Sequence, residues 1–143
     1  GVGLTYNKAH EASCGEYICI LCSDDYYLKP IDVLLSEIDG SDLIFYDMEI
    51  NSGQLFKQRQ TNLRSGIGIA GASKLMRREF VGDLRRTPVR LHGDVNFFHK
   101  MLAKKPVCKF TEIVFYHYDY PREDSLLGIE KQEKLAKKKK RQS

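Results

Sequence analysis

The amino-acid sequence predicts an α/β domain. Three observations lead there. Tyr17-Ile-Cys-Ile-Leu-Cys22 is a continuous apolar run suited to a strand buried on both faces of a parallel sheet. Apolar residues at helical spacing recur between strand candidates, at Ile31, Leu34, Leu35 and Ile38 and again at Val95, Phe98, Met101 and Leu102. Strands and helices alternate along the chain with no internal repeat. At 143 residues the chain has the length of one domain with a real core.

The first element is a short helix from about Asn7 to Cys14, closed by Gly15. Next comes the Tyr17–Cys22 run, read as a central strand. It stops at Ser23-Asp24-Asp25, which sets carboxylates at the strand's C-terminal edge, where open α/β sheets bind ligands. Pro30 then opens an amphipathic helix that covers the sheet with Ile31, Leu34, Leu35 and Ile38. Asp42 to Ile50 is a second strand, and the turn residues Asn51-Ser52-Gly53 return Gln54 to Lys57 as its hairpin partner. After a polar loop, Ser73 caps a helix running to about Val81. Gly93-Asp94 opens another helix, with Val95, Phe98, Met101 and Leu102 as its buried stripe. Lys109 to Tyr118, rich in β-branched and aromatic residues, is a late strand.

Charge and cysteines narrow the function classes. From Glu130 onward seven basic residues face two acidic ones, against a whole-chain charge of +4, so the rest of the chain is nearly neutral. That distribution argues against a dedicated nucleic-acid surface. It marks residues 129–143 as a basic tail, either a solvated end or a segment drawn to an acidic membrane surface or another polyanion. No apolar run approaches the roughly eighteen residues that span a bilayer. The opening GVGLTYNKAH has no secretory pattern, and the lack of an initiator Met suggests a natural start upstream. Cys14, Cys19, Cys22 and Cys108 sit in strand-like surroundings and read as reduced thiols in a cytoplasmic protein, not as a disulfide framework. Cys19 and Cys22 have redox-motif spacing, but in a strand they point to opposite faces.

Two carboxylates leaving a buried strand need a partner, a hydrogen bond or a cation. In strand geometry Asp24 shares its face with Cys22 and Asp25 lies opposite, so Asp24 is the better metal ligand and Asp25 the better substrate or loop contact. The alternative is that Ser23-Asp24-Asp25 is turn and cap chemistry only.

The order of residues around this strand resembles family 2 nucleotide-sugar glycosyltransferases. Asn7, Ala12, Gly15-Glu16-Tyr17-Ile18 and Ser23-Asp24-Asp25-Tyr26 resemble that family's Asn, Ala, Gly-Glu-Tyr-Ile and Asp-Ser-Asp-Asp pattern. Lys74-Leu-Met-Arg77-Arg78 resembles its acceptor-side Lys-Leu-Tyr-Arg-Arg segment, and Gly93-Asp94 with the helix after it resembles its Glu-Asp motif. The resemblance runs from about Gly3 to Ser125, in family order. Cys22 stands where the family has its first metal-motif Asp, and Gly93 where it has Glu. The family's first nucleotide-binding strands fall before Gly3.

The resemblance implies a partial glycosyltransferase A-type fold, a mixed, mainly parallel sheet flanked by helices, over residues 3–128. It implies transfer of a sugar from a nucleotide donor to a glycan, lipid or protein acceptor hydroxyl, with inversion. Asn7, Ser23, Asp24 and Asp25 would bind the donor and Asp94 would be the general base. Lys74 and Arg77 would lie on the acceptor side. Asp24 and His117 would hold Mn²⁺ or Mg²⁺, for which the Cys22 thiol is a poor partner. The bland readings are an N-cap for Asp94 and a packed or surface residue for His117. Gly66-Ile-Gly68-Ile-Ala-Gly71 matches G-x-G-x-x-G but follows no buried strand, and reads as a flexible acceptor-side loop. Arg77, Arg78, Arg85, Arg86 and Arg90 form either a phosphate-neutralising set or a solvated face.

Two functions from other classes compete with sugar transfer. One is a noncatalytic glycan- or partner-binding remnant of a glycosyltransferase. The other is a polyanion binder working through the tail, which a nearly neutral body disfavours.

Overall fold

Residues 43–50 (LIFYDMEI) alternate their side chains between two apolar clusters, so this stretch is buried on both faces. In the structure, a computed structural model that describes residues 2–60, 71–88, 93–121 and 126–142, it is the middle of the sheet. The elements are α1 (Val2–Ala12), β1 (Tyr17–Ile18), β2 (Tyr26–Tyr27), α2 (Asp32–Leu35), β3 (Leu43–Ile50), β4 (Leu55–Phe56), β5 (Lys74–Arg77), α3 (Arg78–Val81), α4 (Gly93–Ala103), β6 (Cys108–Tyr118) and α5 (Leu126–Gln142). The strand order is β1-β5-β3-β6-β2, with β4 pairing β3 off this path.

One face of β3, carrying Leu43 and Phe45, packs with Met76, Phe80, Val81, Phe97, Phe98 and Met101 beneath α3 and α4. The other face, with Ile44, Tyr46 and Met48, packs with Leu34, Ala72, Leu75, Phe115 and Tyr116. The sheet is mixed, as expected, but among the described residues only β3·β6 is parallel, and the β1·β5, β2·β6, β3·β4 and β3·β5 pairs are antiparallel. The expected weighting towards parallel pairing is therefore corrected. One cause is the β3–β4 hairpin, whose short turn makes antiparallel neighbours, whereas parallel neighbours need a longer crossover.

The central-strand expectation for Tyr17–Cys22 is also corrected. Only Tyr17 and Ile18 pair, opposite Arg77 and Met76, and β1 is the outer strand of the described sheet. Beyond Ile18 the chain leaves the ladder: Cys19 and Leu21 are exposed, and the Cys22 N–H donates to the Tyr116 hydroxyl at 3.2 Å. The longer strand, β3, occupies the centre, although Asp47 and Glu49 interrupt its apolar residues.

The helix expected from Ser73 to Val81 is a strand followed by a single helical turn. Lys74, Leu75 and Met76 pair with Phe45, Ile44 and Leu43 and are buried on both faces, so ladder bonds and packing override the helix propensity of a Lys-Leu-Met-Arg segment. The helix after Pro30 is shorter than its apolar spacing suggests. Leu34 is fully buried, whereas Ile31 and Leu35 face solvent, so the apolar face is narrow.

The hairpin, the helix after Gly93 and the late strand lie where the sequence places them. Helix α1 is present, although it begins at Val2. The hairpin turn has Gly53 at φ +82°, a conformation glycine adopts without strain, and Met48 and Glu49 pair with Phe56 and Leu55. Helix α4 buries Phe97, Phe98 and Met101, with Val95 and Leu102 packed against the same cluster. Strand β6 runs beside β3 with an irregular register, Phe45 facing Phe110 but Asp47 facing Val114, and Glu112 in the extra segment has φ +57°. The basic end is a helix, with every side chain from 131 to 142 exposed. Among the described residues no helix is long and apolar enough to cross a membrane.

Candidate functional site

The apolar stripe of α4 anchors it against the sheet and leaves Asp94 in its first turn, where a carboxylate is favoured by the helix dipole. Both carboxylate oxygens are held. Oδ1 accepts from Arg86 Nε at 3.1 Å, and Oδ2 accepts from the Gly71 N–H at 3.3 Å. The Asp94 side chain nevertheless keeps 39% of its surface exposed, whereas that of Arg86 keeps 5%.

Arg86 is the residue that sequence reasoning missed. Neither a phosphate-neutralising set nor a solvated face describes it, because its guanidinium lies between the Tyr6 and Phe97 rings, 4.4 and 4.5 Å from their centroids. Asn7 on α1 clamps its backbone from both sides. The Asn7 side-chain amide donates to Arg86 O at 2.9 Å and its Oδ1 accepts from Arg86 N at 2.8 Å. Asn7, expected at a donor, thus spends its amide on positioning Arg86. Nη2 of Arg86 is buried with no hydrogen-bond partner among the described residues. A Cβ on Gly71 would lie 2.8 Å from that Nη2, 3.0 Å from Ile20 Cδ1 and 3.2 Å from Asp94 Oδ1, so glycine is required there for space. A small cavity of about 70 Å³ lies between α1 and the sheet, lined in part by Tyr6, Ile18, Ile20, Arg86 and Phe97.

The Ser23-Asp24-Asp25 turn is fixed by β6. Tyr116 donates its hydroxyl to Asp25 Oδ2 at 2.6 Å, the Asp119 N–H donates to Oδ1 at 2.9 Å, and the Asp25 N–H returns to Cys22 O at 3.1 Å. Burial, followed by that bond to Asp25, raises the Tyr116 phenol far above its ordinary value. Asp25 therefore anchors the turn, while Ser23 and Asp24 are exposed on it. Cys22 Sγ lies 3.5 Å from the Tyr6 hydroxyl. Burial pushes the Cys22 thiol up, and the carboxylates of Asp25 and Asp94 push it the same way. Position 22 thus holds a neutral thiol where the turn and the start of α4 converge.

His117 is committed on both ring nitrogens. Nδ1 is 2.9 Å from Glu49 Oε1, Nε2 is 2.9 Å from Asn51 Oδ1, and the ring stacks on Tyr26 at 4.5 Å. Among the described residues no three His, Cys, Asp or Glu side chains are grouped to hold a metal ion.

Lys74 is not at a surface. It is fully buried, with Nζ 4.5 Å from the Phe98 centroid and 5.5 Å from that of Phe45, and burial pulls its ammonium down to about 7. Arg77 binds Asp42 Oδ1 through Nε at 3.2 Å and Nη2 at 2.5 Å, and also Glu79 at 2.9 Å. Asp42 in turn accepts from the Val107 N–H at 2.8 Å, so Arg77 ties β5 to the start of β6. Arg78 donates to Gly15 O and Ser13 Oγ, and Arg85 donates to Gly82 O and Leu84 O. These arginines hold the chain together. Arg90 and most of the Gly66–Gly71 motif fall outside the described residues; only Gly71 can be placed.

No family model matches the chain, and no curated protein matches it in sequence. Chains of solved structures do match in fold, among them the crystal structure of S. aureus TarS 1-349, with a TM-score of 0.68 and 19% identity. That match covers 83% of this chain and 40% of the TarS chain, so this chain spans well under half the length of its structural neighbour. At that identity the likeness carries the fold alone: a mixed sheet flanked by helices that matches part of a glycosyltransferase-like fold.

Proposed function

We propose that this chain is part of a glycosyltransferase that moves a sugar from a nucleotide donor to a glycan, lipid or protein acceptor hydroxyl, with inversion at the anomeric carbon. The observation that carries the reading is Asp94. Its carboxylate is oriented through both oxygens by Arg86 and Gly71, yet is 39% exposed at a helix start within a glycosyltransferase-like fold. In the proposed reaction the acceptor oxygen bonds to the anomeric carbon, its proton passes to Asp94, and the bond to the diphosphate breaks with the electron pair leaving on phosphate.

Asp24, exposed on the turn, is the residue we assign to a Mn²⁺ or Mg²⁺ ion carried in with the diphosphate. Such an ion supplies neutralisation of the leaving group. Asp25 and His117 do not fit as ligands, because their donor atoms already bind Tyr116, Asp119, Glu49 and Asn51. Lys74 and Arg77 do not serve as acceptor contacts, since one is buried and the other is bound to Asp42 and Glu79.

A second reading, a noncatalytic glycan- or partner-binding remnant, is favoured by the neutral Cys22 thiol and the locked Asp25. Titration of uridine diphosphate with Mn²⁺, followed by turnover of uridine diphosphate sugars, separates the two. Sugar transfer predicts nucleotide binding in wild type and Asp94→Asn alike, with turnover lost only in the variant. Nucleotide binding without turnover in wild type would support the remnant.

A further inference from the structure

Positive charge on this chain is concentrated in one element. Along 131–142 helix α5 has six lysines and one arginine against one glutamate, more positive charge than the +4 of the whole chain, so the remainder is net acidic. Every side chain in that stretch is exposed. Lys134, Lys137, Lys138 and Arg141 recur at helical spacing along one face, and Lys131 extends it by a turn. Leu135 is 52% exposed and ringed by Lys131, Lys138 and Lys139 at i−4, i+3 and i+4.

We propose that α5 docks this protein on an anionic lipid surface. The inference does not depend on the sugar-transfer reading. A helix of 17 residues lies along about 25 Å of surface, enough to engage several headgroups at once. Ammonium groups are compact charges suited to a diffuse negative plane, and their apolar stems let the charge sit among headgroups while Leu135 enters the acyl boundary. Nucleic acid is the weaker partner on the same observations. The 131–142 stretch has no aromatic side chain to stack on a base and only one guanidinium fork, and an exposed leucine gains nothing from a phosphate backbone. The remainder of the chain is nearly neutral, at a net −2, and adds no comparable attraction, which leaves this helix as the contact.

Each lysine or arginine near an anionic membrane strengthens partitioning about fivefold. The test is cosedimentation of the full chain with phosphatidylcholine vesicles, with and without phosphatidylserine. We expect capture only with phosphatidylserine, released as the Debye length falls from about 10 Å to about 3 Å in concentrated salt. Replacing four lysines together (Lys137→Gln, Lys138→Gln, Lys139→Gln, Lys140→Gln) should weaken capture by on the order of a hundredfold or more, with the unfolding midpoint unchanged. Equal capture by neutral vesicles, or undiminished capture of the four-glutamine chain, overturns the proposal. So does transfer of the bound wild-type chain from the vesicles to duplex DNA added at matched charge.

Discussion

Replacing Lys74 with methionine should change the protein's stability by an amount that depends on pH, most in methionine's favour at low pH. Lys74 is fully buried between the Phe45 and Phe98 rings, and burial lowers its ammonium from 10.5 to about 7. Below about pH 7 both the folded and the unfolded chain hold this proton, so the whole cost of burying the charge is present. Between about pH 7 and 10.5 the unfolded chain holds more protons than the folded one, and stability rises with pH. Above 10.5 the amine is neutral in both states and the cost is gone. At about 1.4 kcal/mol per pH unit the full cost is on the order of 5 kcal/mol. Methionine fills nearly the same volume without charge. Urea unfolding of both chains should therefore show the stability of Lys74→Met relative to wild type greater by several kcal/mol near pH 6 than near pH 10. Parallel stability curves across that range would mean that Lys74 does not titrate inside the core.

Three other substitutions probe the site. Gly71→Ala drives a Cβ into Arg86 Nη2 and Asp94 Oδ1. It should cost about 1–3 kcal/mol in urea unfolding, and less in an Arg86→Met background, whereas equal costs in both backgrounds would uncouple the two positions. Tyr116→Phe removes the donor to Asp25 and the acceptor for the Cys22 N–H. It should cost about 1–3 kcal/mol and speed hydrogen exchange at residues 22–25, and unchanged exchange would show that the turn does not depend on β6. Cys22→Asp sets a third carboxylate near Asp25 and Asp94, so the metal-free chain should lose stability while calorimetry shows tighter Mn²⁺ binding. Equal or weaker Mn²⁺ binding by a folded variant would remove position 22 from any metal site.

What was legible in the sequence is what depends on periodicity. The spacing of Phe98, Met101 and Leu102 is a property of α4 alone, and the Asn51-Ser52-Gly53 turn joins neighbours in sequence, so both could be read locally. An apolar run signals two-sided burial but not which of two runs takes the centre of a sheet. β3 takes that place because Leu43, Ile44, Phe45, Tyr46 and Met48 divide between both clusters along a strand that pairs on both sides, whereas Tyr17–Cys22 pairs only through two residues. β5 was illegible for a different reason. Four residues with helix-forming side chains become a strand only because β1 and β3 flank them, which no local window contains.

Arg86 shows why the chemistry was harder to read than the fold. A buried guanidinium is tolerable only if its charge, faces and backbone all find partners, and here each need is met by a different part of the chain. Asp94 supplies the countercharge from α4, Tyr6 from α1 and Phe97 from α4 supply the faces, and Asn7 grips the backbone from 79 positions away. None of those separations has a period, so sequence alone does not set Arg86 apart from Arg77, Arg78, Arg85 and Arg90. The same arrangement gives Asn7 a structural reason to exist with no donor present. It also means that α1, β5's flanking Gly71 and α4 cannot shift independently, since moving any one unseats the guanidinium that orients Asp94. The exposed carboxylate is thus held by buried contacts from distant segments, as a group must be if it is to meet a reacting hydroxyl at fixed geometry.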